Sequence, residues 1–262
     1  MPIRYFQLAI KKLLLGYCLA LTSGCVAESI NTFTFTADLP PNFSYQAIAV
    51  YVPAEGETCT VPGRKNTAVG FNLEWREVYE PNSEIALYRT VSDCPLVIRQ
   101  IKLEINSAYG KSRGDFSADN AGVAIRYRLD DKYINSFNEA GESNFYGQCQ
   151  WRFRTSGKPR ILRKILDCKS TDEKGEPALS KPFAAYTLDQ LTGKTVRMNI
   201  KLADEERPAI GDTWVKVPNG WKRCMGKNFE DQYAFCYGNH KDFSGYQTHD
   251  GKQCTIYPGC TE

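Results

Sequence analysis

The segment Cys149–Cys168, which reads CQWRFRTSGKPRILRKILDC, carries the strongest structural signal in the chain. Its first arm alternates: Cys149, Trp151 and Phe153 point to one side, and the polar residues between them point to the other. This period of two is typical of a strand with one buried face. The polar residues 155–159 that follow contain glycine and proline and predict a turn, so the segment is expected to fold back as a hairpin.

The pairing register of this hairpin can be read from the numbering. If the arms pair symmetrically about the turn, partner numbers sum to 317, and Cys149 faces Cys168 while Trp151 faces Leu166. Directly opposed residues in an antiparallel pair have Cα atoms about 4.5–5.5 Å apart, which suits a disulfide. We therefore predict a Cys149–Cys168 bond. The apolar residues of the second arm also fit a helical spacing, so a helical second arm stays open.

Similar alternation recurs along the chain and predicts a mainly β protein. Apolar rows lie in residues 32–36, 48–52, 71–75, 96–105, 123–129 and 196–202. In the row 96–105 the phase changes by one residue, and a β-bulge near Arg99 and Gln100 would return one face to the core. We expect an antiparallel β-sandwich over residues 32–205, followed by a small disulfide-rich C-terminal subdomain over 206–262.

The N-terminal residues have the organisation of a secretory signal. Basic residues precede a short apolar run that ends in Leu21-Thr22-Ser23-Gly24-Cys25, too short for a membrane span. This pentapeptide resembles the lipobox of bacterial lipoproteins, although Thr22 stands where leucine is usual. The resemblance implies removal of residues 1–24, acylation of Cys25 and a tether over residues 25–31. Val26 in second place, where retained lipoproteins have aspartate, implies an outer-membrane location facing the periplasm.

The cysteine count agrees with export. Of ten cysteines, Cys18 leaves with the leader and Cys25 is acylated, which leaves an even number for an oxidising compartment. We predict four disulfides rather than a zinc site, because no Cys-x-x-Cys pair occurs and the chain has 2 histidines. Cys59 and Cys94 are expected to pair in the N-terminal half. The pairing of the last four cysteines stays open; they are Cys224, Cys236, Cys254 and Cys260.

Charge excludes one class of partner. Removing the leader takes 3 of the 33 basic residues and none of the 30 acidic ones, so the mature chain is formally neutral. Phosphate backbones require a clear basic excess, and nucleic acid is therefore not expected as a partner. The membrane contact is expected through the acyl chains on Cys25 alone.

The residues give little support for catalysis. His240 and His249 lie in a polar loop, without a nucleophile motif or a familiar zinc spacing. We expect no catalytic residues, no metal and no cofactor, and a binding role becomes the default. A lipid-anchored hydrolase that uses the two histidines is the weakest alternative.

Two segments are candidate partner-binding surfaces. The hairpin is locally basic and would suit an acidic protein, although a solvated outer face explains the same charges. The C-terminal loop 237–250 carries aromatic side chains of the kind found at interface centres. The predicted partner-binding residues are Arg152, Arg154, Arg160, Arg163, Tyr237, Phe243 and Tyr246.

Several phrases resemble Gram-negative envelope lipoproteins that occur beside type VI secretion effectors and act as immunity proteins. They are residues 146–151 (YGQCQW), 165–168 (ILDC), 191–197 (LTGKTVR), 220–224 (GWKRC) and 254–262 (CTIYPGCTE). The resemblance implies that the chain binds and neutralises a secreted effector toxin. It assigns no contact residues. A structural or assembly lipoprotein of the cell envelope, without catalytic activity, is the alternative.

Overall fold

The alternating rows 32–36, 48–52, 96–105 and 196–202 lie in strands of the computed structural model, which describes residues 31–59, 67–70, 82–112, 114–178 and 182–261. Within these residues the chain is mainly β and contains no α-helix. The strands are β1 (Thr32–Asp38), β2 (Phe43–Pro53), β3 (Thr67–Gly70), β4 (Asn82–Ala86), β5 (Tyr88–Val91), β6 (Cys94–Ala108), β7 (Phe116–Arg126), β8 (Glu142–Ser156), β9 (Ile161–Thr171), β10 (Ala184–Thr187), β11 (Thr195–Leu202), β12 (Arg207–Pro208), β13 (Trp214–Val217), β14 (Gly220–Cys224), β15 (Phe243–Ser244), β16 (Tyr246–Gln247) and β17 (Gln253–Cys254).

The strands form three sheets. The largest has the order β17-β16-β9-β8-β11-β1-β4, with β12 also paired to β8. The second has the order β10-β7-β6-β2-β3, with β5 also paired to β6, and the third is β13-β14-β15. A 3-10 turn at Asp131–Tyr133 lies between β7 and β8.

The hairpin β8–β9 has the predicted register. Cys149 pairs with Cys168 and Trp151 with Leu166, and the pairing continues to Ser156 and Ile161 at the turn. The helical alternative for the second arm is wrong, because β9 pairs with β8 along its whole length. Backbone pairing along β8 therefore overrides a local apolar spacing that a helix would also satisfy.

The prediction of purely antiparallel sheets is wrong. β11 runs parallel to both β8 and β1, and β10 runs parallel to β7. The physical reason is the path of the chain: after β9 it leaves the largest sheet for β10 in the second sheet and then returns as β11. Because of this detour, β11 re-enters beside β8 in the same direction, as parallel neighbours require a crossover connection.

The predicted bulge is confirmed. Val50 on β2 pairs with Gln100 on β6, but the next residue, Tyr51, pairs with Ile98. Arg99 is thus the extra residue on β6. It is exposed, whereas Ile98 and Ile101 on its two sides are 2 % and 0 % exposed. The bulge keeps both apolar rows of β6 on the buried face.

One buried cluster takes side chains from both large sheets. The rings of Phe35 on β1 and Tyr45 on β2 lie 5.9 Å apart, edge to face. Between β9 and β7, the Cys168 backbone N–H donates to Asp119 Oδ2 at 2.6 Å and the Leu166 N–H donates to Ser117 Oγ at 3.1 Å. Apolar burial and these polar contacts join the two sheets.

The C-terminal residues form a second cluster on the hairpin. Phe153 of β8 is fully buried, and its ring lies 5.0 Å from Trp214 and 4.3 Å from Tyr257. β16 pairs with β9 through Gln247 and Ile161, so this segment adds strands to the largest sheet. Side chains from residues 207–260 therefore pack against the inner face of the hairpin near its turn.

Four disulfides are formed. Cys59–Cys94 and Cys149–Cys168 match the predicted pairs, with Cα atoms 5.7 Å and 3.9 Å apart. The connectivity left open by the sequence is Cys224–Cys236 and Cys254–Cys260. The last two bonds close short segments beside the second cluster.

Several sequence predictions lie outside the described residues: the signal peptide 1–24, the acylated Cys25, the tether up to residue 30 and the strand row 71–75. In the part of the chain that the structure describes, no helix is long and apolar enough to cross a membrane.

Candidate protein-binding site

The basic side chains of the hairpin divide between its two faces. Arg152, Arg154 and Arg163 lie on the outer face, opposite the face that carries Cys149 and Trp151 into the core. Arg152 Nε contacts Asp167 Oδ2 at 3.1 Å, and Lys169 Nζ contacts the other oxygen at 2.7 Å. Partial burial alone would raise the pKa of Asp167, but Lys169 and Arg152 together hold it below its ordinary value.

Arg154 and Arg163 are directly opposite each other across β8 and β9. Arg154 is exposed and Arg163 is partly exposed. Among the described residues neither has a carboxylate within ion-pair distance. Directly opposed like charges are unfavourable in a sheet, so this pair is an uncompensated positive site.

Arg160 does not belong to that surface, and its prediction as a partner-binding residue is wrong. It is 1 % exposed, because the chain turns inward there with a φ of 54°. Its Nη2 lies 3.0–3.3 Å from the carbonyl oxygens of Met225, Asn228, Phe229 and Asp231. Burial lowers the pKa of Arg160, and the nearby Asp231 carboxylate opposes that shift.

A second buried arginine lies beside it. Arg223 is 2 % exposed; its Nε donates to Thr155 Oγ1 at 2.5 Å, and its Nη2 donates to the carbonyls of Gln232 and Tyr233. Burial, reinforced by the neighbouring Arg160, lowers the pKa of Arg223 to about 10. The guanidinium is still charged at neutral pH and remains a donor to these carbonyls.

The two arginines lie beneath one loop, residues 225–237, which we call the aromatic loop. The Cys224–Cys236 bond joins the residue before the loop to the next-to-last residue of the loop. Asp231 organises its centre, since its carboxylate accepts from the backbone N–H groups of Lys227, Tyr233 and Ala234 at 3.0–3.1 Å. These bonds hold the pKa of Asp231 below its ordinary value. The backbone of the loop is thus held from inside by two cations and one anion.

The aromatic loop exposes three aromatic rings among polar side chains. Phe229, Tyr233 and Tyr237 are 59 %, 63 % and 64 % exposed, the three highest values among large apolar side chains of the described residues. The ring of Phe235 lies 6.1 Å from Tyr233, with the planes inclined by 15°, and 5.8 Å from Tyr237. Exposed aromatics on an ordered backbone are typical of interface anchors.

The three aromatic residues predicted to bind a partner differ in their exposure to solvent. Tyr237 is exposed and belongs to the aromatic loop, whereas Phe243 is half-buried with Lys222 Nζ 5.4 Å from its ring centre. The prediction of Tyr246 as an anchor is wrong, because it is 1 % exposed and its hydroxyl donates to the Ile256 carbonyl at 2.8 Å. Its ring packs in the second cluster, 5.4 Å from Trp214.

The sequence contains a signal for the missed residues. Tyr233, Phe235 and Tyr237 stand at alternate positions around Cys236, in a segment almost free of aliphatic side chains. Aromatics that have no aliphatic residues to pack with are candidates for exposure. No comparable pattern identifies Arg160 or Arg223 as buried, because their acceptors are backbone carbonyls, which carry no sequence signature.

A partly buried ionic contact lies on the inner side of the hairpin. Lys164 Nζ is 2.8 Å from Glu206 Oε1, and the Tyr257 hydroxyl donates to the other oxygen of Glu206. Burial and the Glu206 charge both raise the pKa of Tyr257. The Lys164 and Glu206 charges are paired with each other. This contact therefore joins residues 206 and 257 to the hairpin and has no free charged group for a ligand.

His240 and His249 are exposed. In the described part of the chain, no three side chains of the metal-binding types come together as a metal site would need. The aromatic loop and the outer face of the hairpin are therefore the two surfaces that can be argued as functional from geometry.

No protein-family model matches the chain, and neither a curated protein nor a solved structure is significantly similar to it.

Proposed function

We propose that the mature chain is an outer-membrane lipoprotein, anchored by acyl chains on Cys25 and facing the periplasm, that binds and neutralises a secreted effector toxin. Neutralisation needs a tight and stable complex and no chemistry. The protein acts as an immunity protein in this proposal, and the toxin is its partner.

The aromatic loop is the observation that supports binding best. Its exposed rings, Phe229, Tyr233 and Tyr237, offer large contact area, and aromatic side chains dominate the energetics of interfaces. Arg160 and Arg223 hold its backbone before any partner arrives. A loop that is already ordered loses little conformational freedom on binding, so more of the contact energy appears as affinity.

The frame behind the loop supports the same proposal. We infer that the two large sheets form a β-sandwich and that residues 206–262 form a subdomain docked on it. The shared buried cluster and the second cluster around Phe153 support this arrangement. Four disulfides suit an oxidising compartment such as the periplasm. A toxin delivered between the two membranes would have to be bound in that compartment.

The proposal is tested by co-expression. Effector genes adjacent to the gene of this chain are expressed with a periplasmic signal, with and without the full-length lipoprotein. Rescue of growth is expected for one of them. Equal killing in both strains overturns the proposal, and a leaky envelope in the deletion strain with unchanged toxin resistance favours a structural lipoprotein instead.

The role of the aromatic loop is tested by variants in the same assay. The double substitution Phe229→Ala and Tyr233→Ala removes two exposed anchors and should weaken toxin binding by at least about 100-fold, as central aromatics do at interfaces. The matched control is Phe116→Ala with Tyr133→Ala, which are 54 % and 52 % exposed elsewhere on the molecule. Equal loss in both double variants contradicts an anchoring role for the loop.

A further inference from the structure

The outer face of the hairpin has a charge imbalance that the fold does not correct. Between residues 148–154 of β8 and 163–169 of β9 this face carries four cations and one carboxylate, a formal charge of +3; they are Arg152, Arg154, Arg163, Lys169 and Asp167. Asp167 contacts Arg152 and Lys169. It lies four residues from Arg163 along β9, roughly 13 Å at the rise of a strand.

The other charged side chains of the hairpin have partners. Lys158 is paired with Glu230 at 2.8 Å, and Lys164 with Glu206 at 2.8 Å. Arg160 is buried against carbonyls. Among the described residues, Arg154 and Arg163 are the two cations of the hairpin left without a carboxylate or carbonyl acceptor. Their positions are directly opposed, which places their Cα atoms about 4.5–5.5 Å apart.

Apolar side chains lie beside this pair on the same face. Along β9 the outward positions alternate Ile161, Arg163 and Ile165, and both isoleucines are partly exposed. The surface therefore combines two adjacent unpaired guanidinium groups with an aliphatic side chain on either side of Arg163 along β9. Guanidinium groups bind carboxylates in a bidentate manner, and their stems pack against apolar side chains.

We infer that Arg154 and Arg163 receive a pair of adjacent carboxylates from the protein partner, whose contacting surface is acidic with apolar side chains beside its charges. The inference rests on the proposed function and names the chemistry of the partner. Charge complementarity supports this inference. The two opposed cations have no counter-charges in the free protein, and bound carboxylates reduce the repulsion between them. A nucleic acid fits less well, since the mature chain is formally neutral.

The test uses the full-length chain in neutral detergent and a fluorescent hexaglutamate peptide as the probe. Binding is expected at about 50 mM salt and should weaken strongly at about 500 mM, where charges are screened beyond a few ångström. The double variant Arg154→Gln with Arg163→Gln should bind the peptide at least about tenfold more weakly. The control Lys102→Gln with Lys174→Gln removes two exposed lysines elsewhere and should bind as the parent does.

Competition identifies other ligands of the same charge. The inference is overturned if inorganic phosphate or a single-stranded oligonucleotide, added at the same concentration of negative charges, displaces the peptide. It is also overturned if the arginine variant binds the peptide as tightly as the parent chain does. In the co-expression assay, an arginine variant that still protects fully also overturns it while leaving the proposed immunity function standing. Loss of protection in the arginine variant, with the lysine control protective, supports both.

Discussion

At the scale of single residues, Arg160 lies under the aromatic loop with four backbone carbonyls around one nitrogen of its side chain. The face of its guanidinium lies 4.8 Å from the centre of the Phe229 ring. A buried cation is costly unless its charge is met by acceptors, and here the acceptors come from a loop that would otherwise have no regular backbone pairing. The cation and the loop therefore stabilise each other.

Substituting Arg160 should unfold the loop locally and destabilise the protein. Arg160→Ala removes a charged donor from four partly buried carbonyl acceptors, and we expect the free energy of unfolding to fall by about 2–4 kcal/mol. Denaturant titration measures this. Arg154→Ala, an exposed arginine of the same hairpin, is the control and should change stability by less than about 0.5 kcal/mol. Equal effects of the two substitutions would contradict a supporting role for Arg160.

At the scale of the element, the aromatic loop has no helix or long strand of its own. Its order depends on the Cys224–Cys236 bond, on two arginines beneath it and on the Asp231 carboxylate that accepts three backbone N–H groups. Side chains thus replace the ladder hydrogen bonds that hold a strand. Such a loop is ordered without being extended, which leaves its aromatic side chains free to point outward.

The order of the aromatic loop should depend on pH through Asp231. Its folded pKa is lowered by the backbone N–H groups, so the stabilisation is present above the ordinary aspartate value near 3.8 and is lost as pH falls through the folded pKa. The amides of Lys227, Tyr233 and Ala234 should lose protection, measured as exchange relative to the intrinsic rate at each pH, as the pH falls through this acidic range. Asp231→Asn should lose this dependence, because an amide oxygen accepts at every pH; unchanged protection in the parent chain would contradict the assignment.

At the scale of the whole molecule, the second cluster connects the C-terminal residues to the largest sheet. Phe153 is at its centre, fully buried, in contact with Trp214, Trp221 and Tyr257. The strand that carries Phe153 also carries Trp151 into the first cluster. One strand therefore supplies side chains to both clusters, and stability in one is expected to be linked to stability in the other.

Truncating Phe153 should affect the whole molecule. Phe153→Ala leaves a cavity among three aromatic rings and is expected to cost about 3–5 kcal/mol in the free energy of unfolding. Thermal unfolding followed by calorimetry should show a large fall in midpoint. Phe116→Ala, at a side chain that is 54 % exposed, is the matched control and should change little. A midpoint unchanged by Phe153→Ala would mean that the C-terminal residues are not coupled to the sheet.

Features that depend on neighbours along the chain could be predicted from residue order. Alternation predicted strands at β1, β2, β6, β7, β8 and β11, the symmetric turn predicted the register of Cys149 with Cys168, and the phase change near Arg99 predicted the bulge. These features follow from the period-two geometry of a strand, in which residue numbers alone decide the face.

The order of strands in the sheets, and the exposure of basic and aromatic side chains, depend on contacts between residues that are distant in the sequence. The crossover through β10 made β11 parallel to β8. Arg160 and Tyr246 were buried by groups that are distant in sequence, whereas Arg154 and Tyr237 were left outside. The reason is physical: burial of a polar side chain depends on whether distant backbone groups arrive to satisfy it, and carbonyls of any residue type can do so.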